Sequence, residues 1–271
     1  SGSQTAKSIT CTGFTGTLAG IATPVLTVAG SCTFVAGMTY SATGPTITMS
    51  ATGTLTSGGK TIQPLTITGG TCTLGDALAI SGTFSLTGGT FTTSASSYSV
   101  SCTNFVTSGT TTRAINLNAS TLTCSGLTPI NLAGSAYTFN AGTSQINCTL
   151  SAALTFTGGS QTFYNVAFTS TNSAATITIV GAQTYNNLSI TAPTSGIKIF
   201  ALPAAVQTIN GTFTCPGTSG IGRVFVRSNT LGTVRTINIA AFSASDVDFR
   251  DMTVSGAAAP ISGTRFGDCG G

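Results

Sequence analysis

One octapeptide returns along this chain with its apolar positions intact. Gln161-Thr162-Phe163-Tyr164-Asn165-Val166-Ala167-Phe168 reappears as Gln183-Thr184-Tyr185-Asn186-Asn187-Leu188-Ser189-Ile190. Lys60-Thr61-Ile62-Gln63-Pro64-Leu65-Thr66-Ile67 keeps the same apolar pattern earlier, and a looser copy opens at Gln207-Thr208-Ile209-Asn210. A self-similar unit of about 20–25 residues, built from short strands and turns, is the mark of a solenoid. In such a chain one coil cannot bury its apolar side alone and must stack on the next.

The rest of the sequence agrees with strands. Charged residues are 5% and hydrophobic residues 41%, enough apolar matter for a core despite the low charge. Apolar residues stand singly among Thr and Ser, as in Thr46-Ile47-Thr48-Met49, Thr176-Ile177-Thr178-Ile179 and Thr236-Ile237-Asn238-Ile239, and that alternation is the period of a half-buried strand. Glu is absent, and no long segment carries the period of a helix. Gly-Gly pairs at 58–59, 69–70, 88–89 and 158–159 supply the positive φ at which a coil turns to its next side. The expected fold is all-β, a parallel β-solenoid coiled as a right-handed β-helix with short Gly/Asn turns. At roughly 22 residues per coil the chain makes about a dozen coils, a rod of roughly 60 Å. Residues 1–60 repeat less regularly, so irregular or partly sandwich-like coils are expected there. Residues 1–271 form a single elongated region, expected to belong to a longer polypeptide. A candidate sub-boundary falls near 216, at Pro216-Gly217, where most Arg and Asp residues begin.

Parity within the repeat sets side-chain directions. Val166/Phe168, Leu188/Ile190 and Leu65/Ile67 share one parity and point inward. Phe163, Tyr185 and Ile62 have the other parity and reach the core only if the chain bends between the two sets. Asn165, Asn187 and Pro64 occupy the bend. The asparagines are either surface turns or a side-chain ladder up the stack.

Eight Cys invite a disulfide framework. Yet Cys11, Cys32, Cys72, Cys102, Cys124 and Cys148 share a Thr/Ser strand context, as one strand position stacked coil upon coil would. They read as buried thiol fillers, with some disulfides as the alternative. The chain has no His and no CxxC pair, so neither metal nor cofactor is expected.

The formal net charge is +4, spread thinly, with Arg223, Arg227 and Arg235 the densest set. That is too sparse for a stripe neutralising several phosphates, so nucleic acid is not an expected partner. Apolar runs stay far below the roughly 20 residues of a membrane helix, and no membrane association is expected. Catalytic means are poor without His or Glu. The acids are Asp76, Asp246, Asp248, Asp251 and Asp268. Asp246 and Asp248 share a strand face, with Asp251 at the following turn. They suit a depolymerase pair or Ca²⁺ ligation less well than pairing with Arg250, Arg235 or Arg265, or facing water at the edge of a coil. Cys269, beside Asp268 and Arg265, is the one thiol in charged company, and it reads as an ordinary thiol. No catalytic, cofactor-binding or metal residue is assigned. Asn-x-Ser/Thr triplets begin at Asn118, Asn147, Asn187 and Asn210 and arise by chance in so Thr/Ser-rich a chain. Thr-x-Thr triplets, among them Thr54-Leu55-Thr56 and Thr71-Cys72-Thr73, suggest the arrays of ice-binding solenoids. Their irregular sequence spacing argues that Thr is simply a good outward strand residue.

Ser81-Gly82-Thr83-Phe84 and Gly89-Thr90-Phe91 are followed by Ser97-Tyr98-Ser99-Val100 and Thr112-Arg113-Ala114-Ile115-Asn116-Leu117. Then come the Gln-Thr-Tyr-Asn-Asn-Leu-Ser-Ile octapeptide, Phe225-Val226-Arg227-Ser228-Asn229-Thr230 and Asp246-Val247-Asp248-Phe249-Arg250-Asp251-Met252-Thr253-Val254. In this order the motifs resemble phage-encoded and bacterial β-repeat proteins, from about residue 78 to 268. The resemblance implies a virion-associated β-solenoid of the tail fibre, tail spike or head fibre type, and it transfers no catalytic residue. The expected role is structural and non-enzymatic, in a bacteriophage particle assembled in the host cytoplasm. Its expected partners are other virion proteins, further copies of itself as in a trimer, and host-surface carbohydrate. An extracellular bacterial adhesin is the first alternative and a polysaccharide-degrading tail spike the second.

Overall fold

The computed structural model describes residues 3–20, 24–173, 175–217 and 221–270, and none of these is helical. The chain is a parallel β-solenoid of about 11 turns among the described residues. Its contacts divide it into two compact units, Ser1–Thr123 with Ala133–Ser144, and Cys124–Leu132 with Gln145–Gly271.

The first unit has three faces. Face a stacks Gln4–Ala6, Val25–Val28, Thr46–Met49, Leu65–Ile67, Thr83–Leu86 and Asn104–Thr107. Face b stacks seven strands from Ile9–Thr10 to Tyr137–Asn140, and face c includes Thr61–Ile62, Leu78–Ile80 and Val100–Cys102. Register aligns the apolar residues into columns. Leu26, Ile47, Leu65, Phe84 and Phe105 face one another in turn on face a. Phe84 packs edge-on against Phe91 of face b at 4.7 Å and against Phe105 at 4.9 Å. Burying each such ring stabilises by roughly 1.5–3 kcal/mol. The glycine pairs serve close stacking as well as turning. Gly70 has φ +62° and Gly89 φ +73°, and a Cβ on Gly89 would lie 2.3 Å from the Gly70 carbonyl oxygen of the coil before.

The first coils are irregular as expected, with strands of two to four residues and a side sheet of Thr17–Leu18 on Thr39–Tyr40. They are not sandwich-like: Gln4–Ala6, Val25–Val28 and Thr46–Met49 pair in parallel, coil on coil.

The second unit has longer strands and two principal faces. Its straight face includes Leu154–Thr157, Thr176–Val180, Gly196–Leu202, Gly222–Ser228 and Val247–Arg250. Its bent face stacks Gln145–Cys148, Thr162–Phe168, Thr184–Ile190, Gln207–Cys215, Arg235–Ala244 and Met252–Ser255. The repeated octapeptide is the bent strand. Phe163 lies opposite Tyr185, and Val166 opposite Leu188. All four are buried, so the parity change does occur, and the pairing skips Tyr164 and Asn186 where the strand bends. Two columns result: Ile146, Val166, Leu188, Phe213 and Phe242, and beside it Phe163, Tyr185, Ile209 and Ile239. Stacked rings reinforce them, Phe163 on Tyr185 at 5.9 Å and Phe213 on Phe242 at 5.6 Å.

The early copy at 60–67 is not the structural equivalent. Thr61–Ile62 and Leu65–Ile67 are separate strands on faces c and a of the first unit. Pro64 ends one side and begins another, where Asn165 and Asn187 continue one strand. The cysteines share a stacked position only in part. The Thr149 N–H donates to the Cys124 carbonyl as the Thr169 N–H does to the Cys148 carbonyl, which sets Cys148 on Cys124, but the others do not all lie in that column. Cys32 and Cys72 are buried on face b, where Cys32 lies opposite Leu55 and Cys72 opposite Phe91. Cys148 and Cys215 are buried on the bent face of the second unit. Any inward position of these coils accepts so small an apolar side chain.

Candidate functional site

The bent face of the second unit carries a furrow of about 570 Å³ on its outer side. Two files of side chains form it. Asn147, Ala167, Ser189, Thr214 and Ser243 stand opposite one another on five successive strands. Gln145, Asn165 and Asn187 form the parallel file two positions earlier. Outward polar residues at the strand period produce both files, and coil stacking spaces them by about 4.8 Å.

The amides are held in place. Asn187 Nδ2 donates to Asn165 Oδ1 at 2.9 Å, and Asn187 Oδ1 accepts the Thr212 backbone N–H at 2.8 Å. Gln145 Nε2 donates to Asn147 Oδ1 at 3.0 Å. Of the two readings open in the sequence, ladder and surface turn, the ladder is the one present. Among the described residues no charged side chain lines the furrow. Fixed amides and hydroxyls present donors and acceptors without a charge to desolvate, which suits a neutral, hydroxyl-rich ligand.

The acids lie elsewhere and are engaged. Asp246 is fully buried and receives Arg265, whose Nε and Nη2 each reach a carboxylate oxygen at 2.5 Å. Arg223 forks onto Asp248 at 2.7 and 2.6 Å and approaches Asp246 at 3.5 Å. The Asp248 hydrogen bonds hold the Arg223 guanidinium above its ordinary value. Asp251 lies at a turn with φ +54° and accepts the Gly232 N–H, with Arg250 at 3.6 Å. Asp76 accepts the Ser57 and Gly58 backbone N–H groups at 2.7 Å each, bracing the Gly58-Gly59 turn. Asp268 accepts the Gly270 N–H. Pairing with arginine is what the sequence suggested for the 246–251 group. The sequence missed Arg223 as the shared partner, because the two lie a full coil apart in the chain and only the stacking joins them. Cys269 is exposed.

Two buried cations were also missed. Arg113 faces inward opposite Gly89 and Tyr137 and is fully buried. Its guanidinium donates to the backbone carbonyls of Thr111, Gly109 and Ser135. Lys198 is likewise fully buried and donates to the carbonyls of Ser170 and Thr191. The signal for both was present in retrospect: each is a cation at an inward parity position, as in Arg113-Ala114-Ile115 and Lys198-Ile199-Phe200.

The Thr triplets align in space despite their uneven spacing in sequence. On face b of the first unit Thr54, Thr73, Thr92, Asn116 and Asn140 form one file. Thr71, Thr90, Ala114 and Thr138 form a second file beside it. Face a carries Thr5, Thr27, Thr48, Thr66 and Ser85. Turns of unequal length absorb the irregularity, so sequence spacing was the wrong measure of surface regularity.

The chain matches no family model, no curated protein and no solved structure.

Proposed function

We propose that this chain is a non-enzymatic display element of a bacteriophage particle, a fibre or spike component that meets neutral host-surface glycans through the furrow of its second unit. The observation that carries the proposal is the pair of stacked polar files, Asn147 to Ser243 and Gln145 to Asn187, held in register by the ladder at Asn165 and Asn187. The motif resemblance from about 78 to 268 supplies the virion context. In the particle the chain associates with other virion proteins and with copies of itself, three-fold symmetry suiting a rigid spike. An extracellular adhesin would use the same furrow, and the surrounding genes separate the two. A depolymerase spike is disfavoured because Asp246 and Asp248 are committed to Arg265 and Arg223.

The test is glycan-array binding of the purified chain, with Ala167→Trp and Ser189→Tyr filling the furrow from outside the core. Binding lost in both variants, with the fold kept, supports the proposal. Binding unchanged in both overturns it. The Thr files of face b favour one second reading, adsorption to a periodic surface such as ice. Thermal hysteresis that disappears on Thr73→Tyr is its signature.

A further inference from the structure

Asn210 and Gly211 stand outside the ladder of the bent face. On one side Tyr185 lies opposite Ile209 and Leu188 opposite Phe213. On the other side Ile209 lies opposite Ile239 and Thr212 opposite Ala241. Neither Asn210 nor Gly211 has a register partner in either neighbouring strand, so this dipeptide is a bulge on both sides. Packing requires the glycine. A Cβ at 211 would lie 2.4 Å from the Asn186 carbonyl oxygen and 2.6 Å from Asn187 Oδ1.

The asparagine before it is unrestrained. Asn210 is exposed, and among the described residues its amide has no hydrogen-bond partner. By contrast Asn165 and Asn187 hold each other, and Asn140 holds Asn116. Asn210-Gly211 is also the only Asn-Gly step in the sequence. The fold therefore places a free asparagine amide directly before the nitrogen of a residue with no side chain to shield it. It does so at a bulge in the strand Gln207–Cys215, where the dipeptide has no register partner while Ile209 before it and Phe213 after it are paired.

We infer that Asn210-Gly211 is a self-modification site, at which loss of the amide brings a negative charge to the rim of the neutral furrow. The Gly211 nitrogen gives up its proton and attacks Asn210 Cγ. A C–N bond forms, the Cγ–Nδ2 bond breaks, and the amide leaves as ammonia. The resulting five-membered imide is opened by one water at either carbonyl, giving aspartate or iso-aspartate. Nothing is oxidised or reduced, and water is the sole co-reactant. Thr212, the next residue but one, lines the furrow. The formal net charge falls from +4 to +3. The modification stands independently of the glycan reading, which bears only on its consequence.

The folded protein is held in mildly alkaline buffer at physiological temperature, sampled over days, and mapped by tryptic mass spectrometry. Cleavage after Lys198 and Arg223 releases peptide 199–223, in which Asn210 is the only asparagine. The acid and iso-acid forms of this peptide are expected to accumulate before those of any other asparagine-bearing peptide, faster as pH rises. Asn210→Gln should keep the fold and abolish the acidic charge variant. The inference is overturned if Asn210 keeps its amide in the folded chain while the released peptide converts, since the bulge is then protective. It is equally overturned if another asparagine converts first.

Discussion

Replacing Lys198 by Met tests the interior of the second unit most directly. Lys198 sits opposite Val224 in the register, fully buried, with the carbonyl oxygens of Thr191 (2.5 Å) and Ser170 as its acceptors. Two acceptors satisfy the two N–H bonds of a neutral amine and leave an ammonium one proton short. Burial pushes the Lys198 ammonium down from 10.5 to about 8, with Cys215 nearby acting in the opposite direction. Between pH 8 and 10.5 the unfolded chain therefore holds a proton that the folded chain lacks, and stability rises with pH across that window. Below it both states are protonated and the full cost of burying the charge is present. The gap corresponds to about 3 kcal/mol, at most about 1.4 kcal/mol per pH unit. Urea unfolding of the wild type and Lys198→Met at a series of pH values reads it. The stability difference between them should move by about 3 kcal/mol in favour of the wild type as pH climbs through the window. Orphaning the two carbonyls in the variant adds a pH-independent offset. Cys32, Cys72 and Cys215, whose thiols burial pushes up from 9.0 to about 12, act the other way at pH above that lower value. Cys32 and Cys72 do so in both proteins, which is why the difference is the quantity to read. Cys215, which Lys198 draws down, is pushed further up in the variant and so still titrates above the window. A difference that stays constant across the window refutes the assignment of Lys198 as a buried cation without a counter-charge.

Phe200, fully buried between Ile177 and Val226 and 5.9 Å from Phe168, should cost about 3–5 kcal/mol when cut to Ala, measured by denaturant midpoint. Asn187→Ala leaves the Thr212 N–H without its acceptor and should cost about 1–3 kcal/mol. Asn187→Asp keeps an acceptor oxygen and should lose less. Gly89→Ala, at φ +73° with its Cβ against the Gly70 carbonyl, should lower the thermal midpoint by the equivalent of more than about 1 kcal/mol. A thiol-specific reagent should label exposed Cys269 in the folded protein and reach Cys32, Cys72 and Cys215 only after denaturation.

Local alternation made the strands legible, and the octapeptide made the stacking legible, because both are written in contiguous residues. Val166 and Leu188 read as one column because the bent strand repeats whole between them, whereas Phe213 joins that column only through the bulge at Asn210-Gly211, one position later than the repeat places it. The early copy misled because Pro64 breaks the same apolar pattern into two strands on different faces, and parity alone does not say whether a bend joins or separates its halves. Coil length was less legible still. Ile47 and Leu65 are register partners, and so are Phe213 and Phe242, yet the second pair lies much farther apart along the chain. A fixed period therefore cannot align the outer surfaces even where the inner ones stack.

That inequality of coil length explains why the candidate site escaped the sequence. In the surface file Asn147, Ala167, Ser189, Thr214 and Ser243, every step along the chain is longer than the one before it, and no motif search at one spacing recovers it. Inward residues are constrained by apolarity whatever the turn length, so their columns show through. Outward residues are constrained only by the partner they meet, and their alignment is set by where the turns discard extra residues. The bulge at Asn210-Gly211 is one such place: the path from Leu188 to its partner Phe213 is one position longer than the path from Tyr185 to its partner Ile209. The surplus residue is ejected from the ladder beside the furrow, so the irregularity that blurred the repeat also left the Asn-Gly step on this face without a register partner, its asparagine exposed.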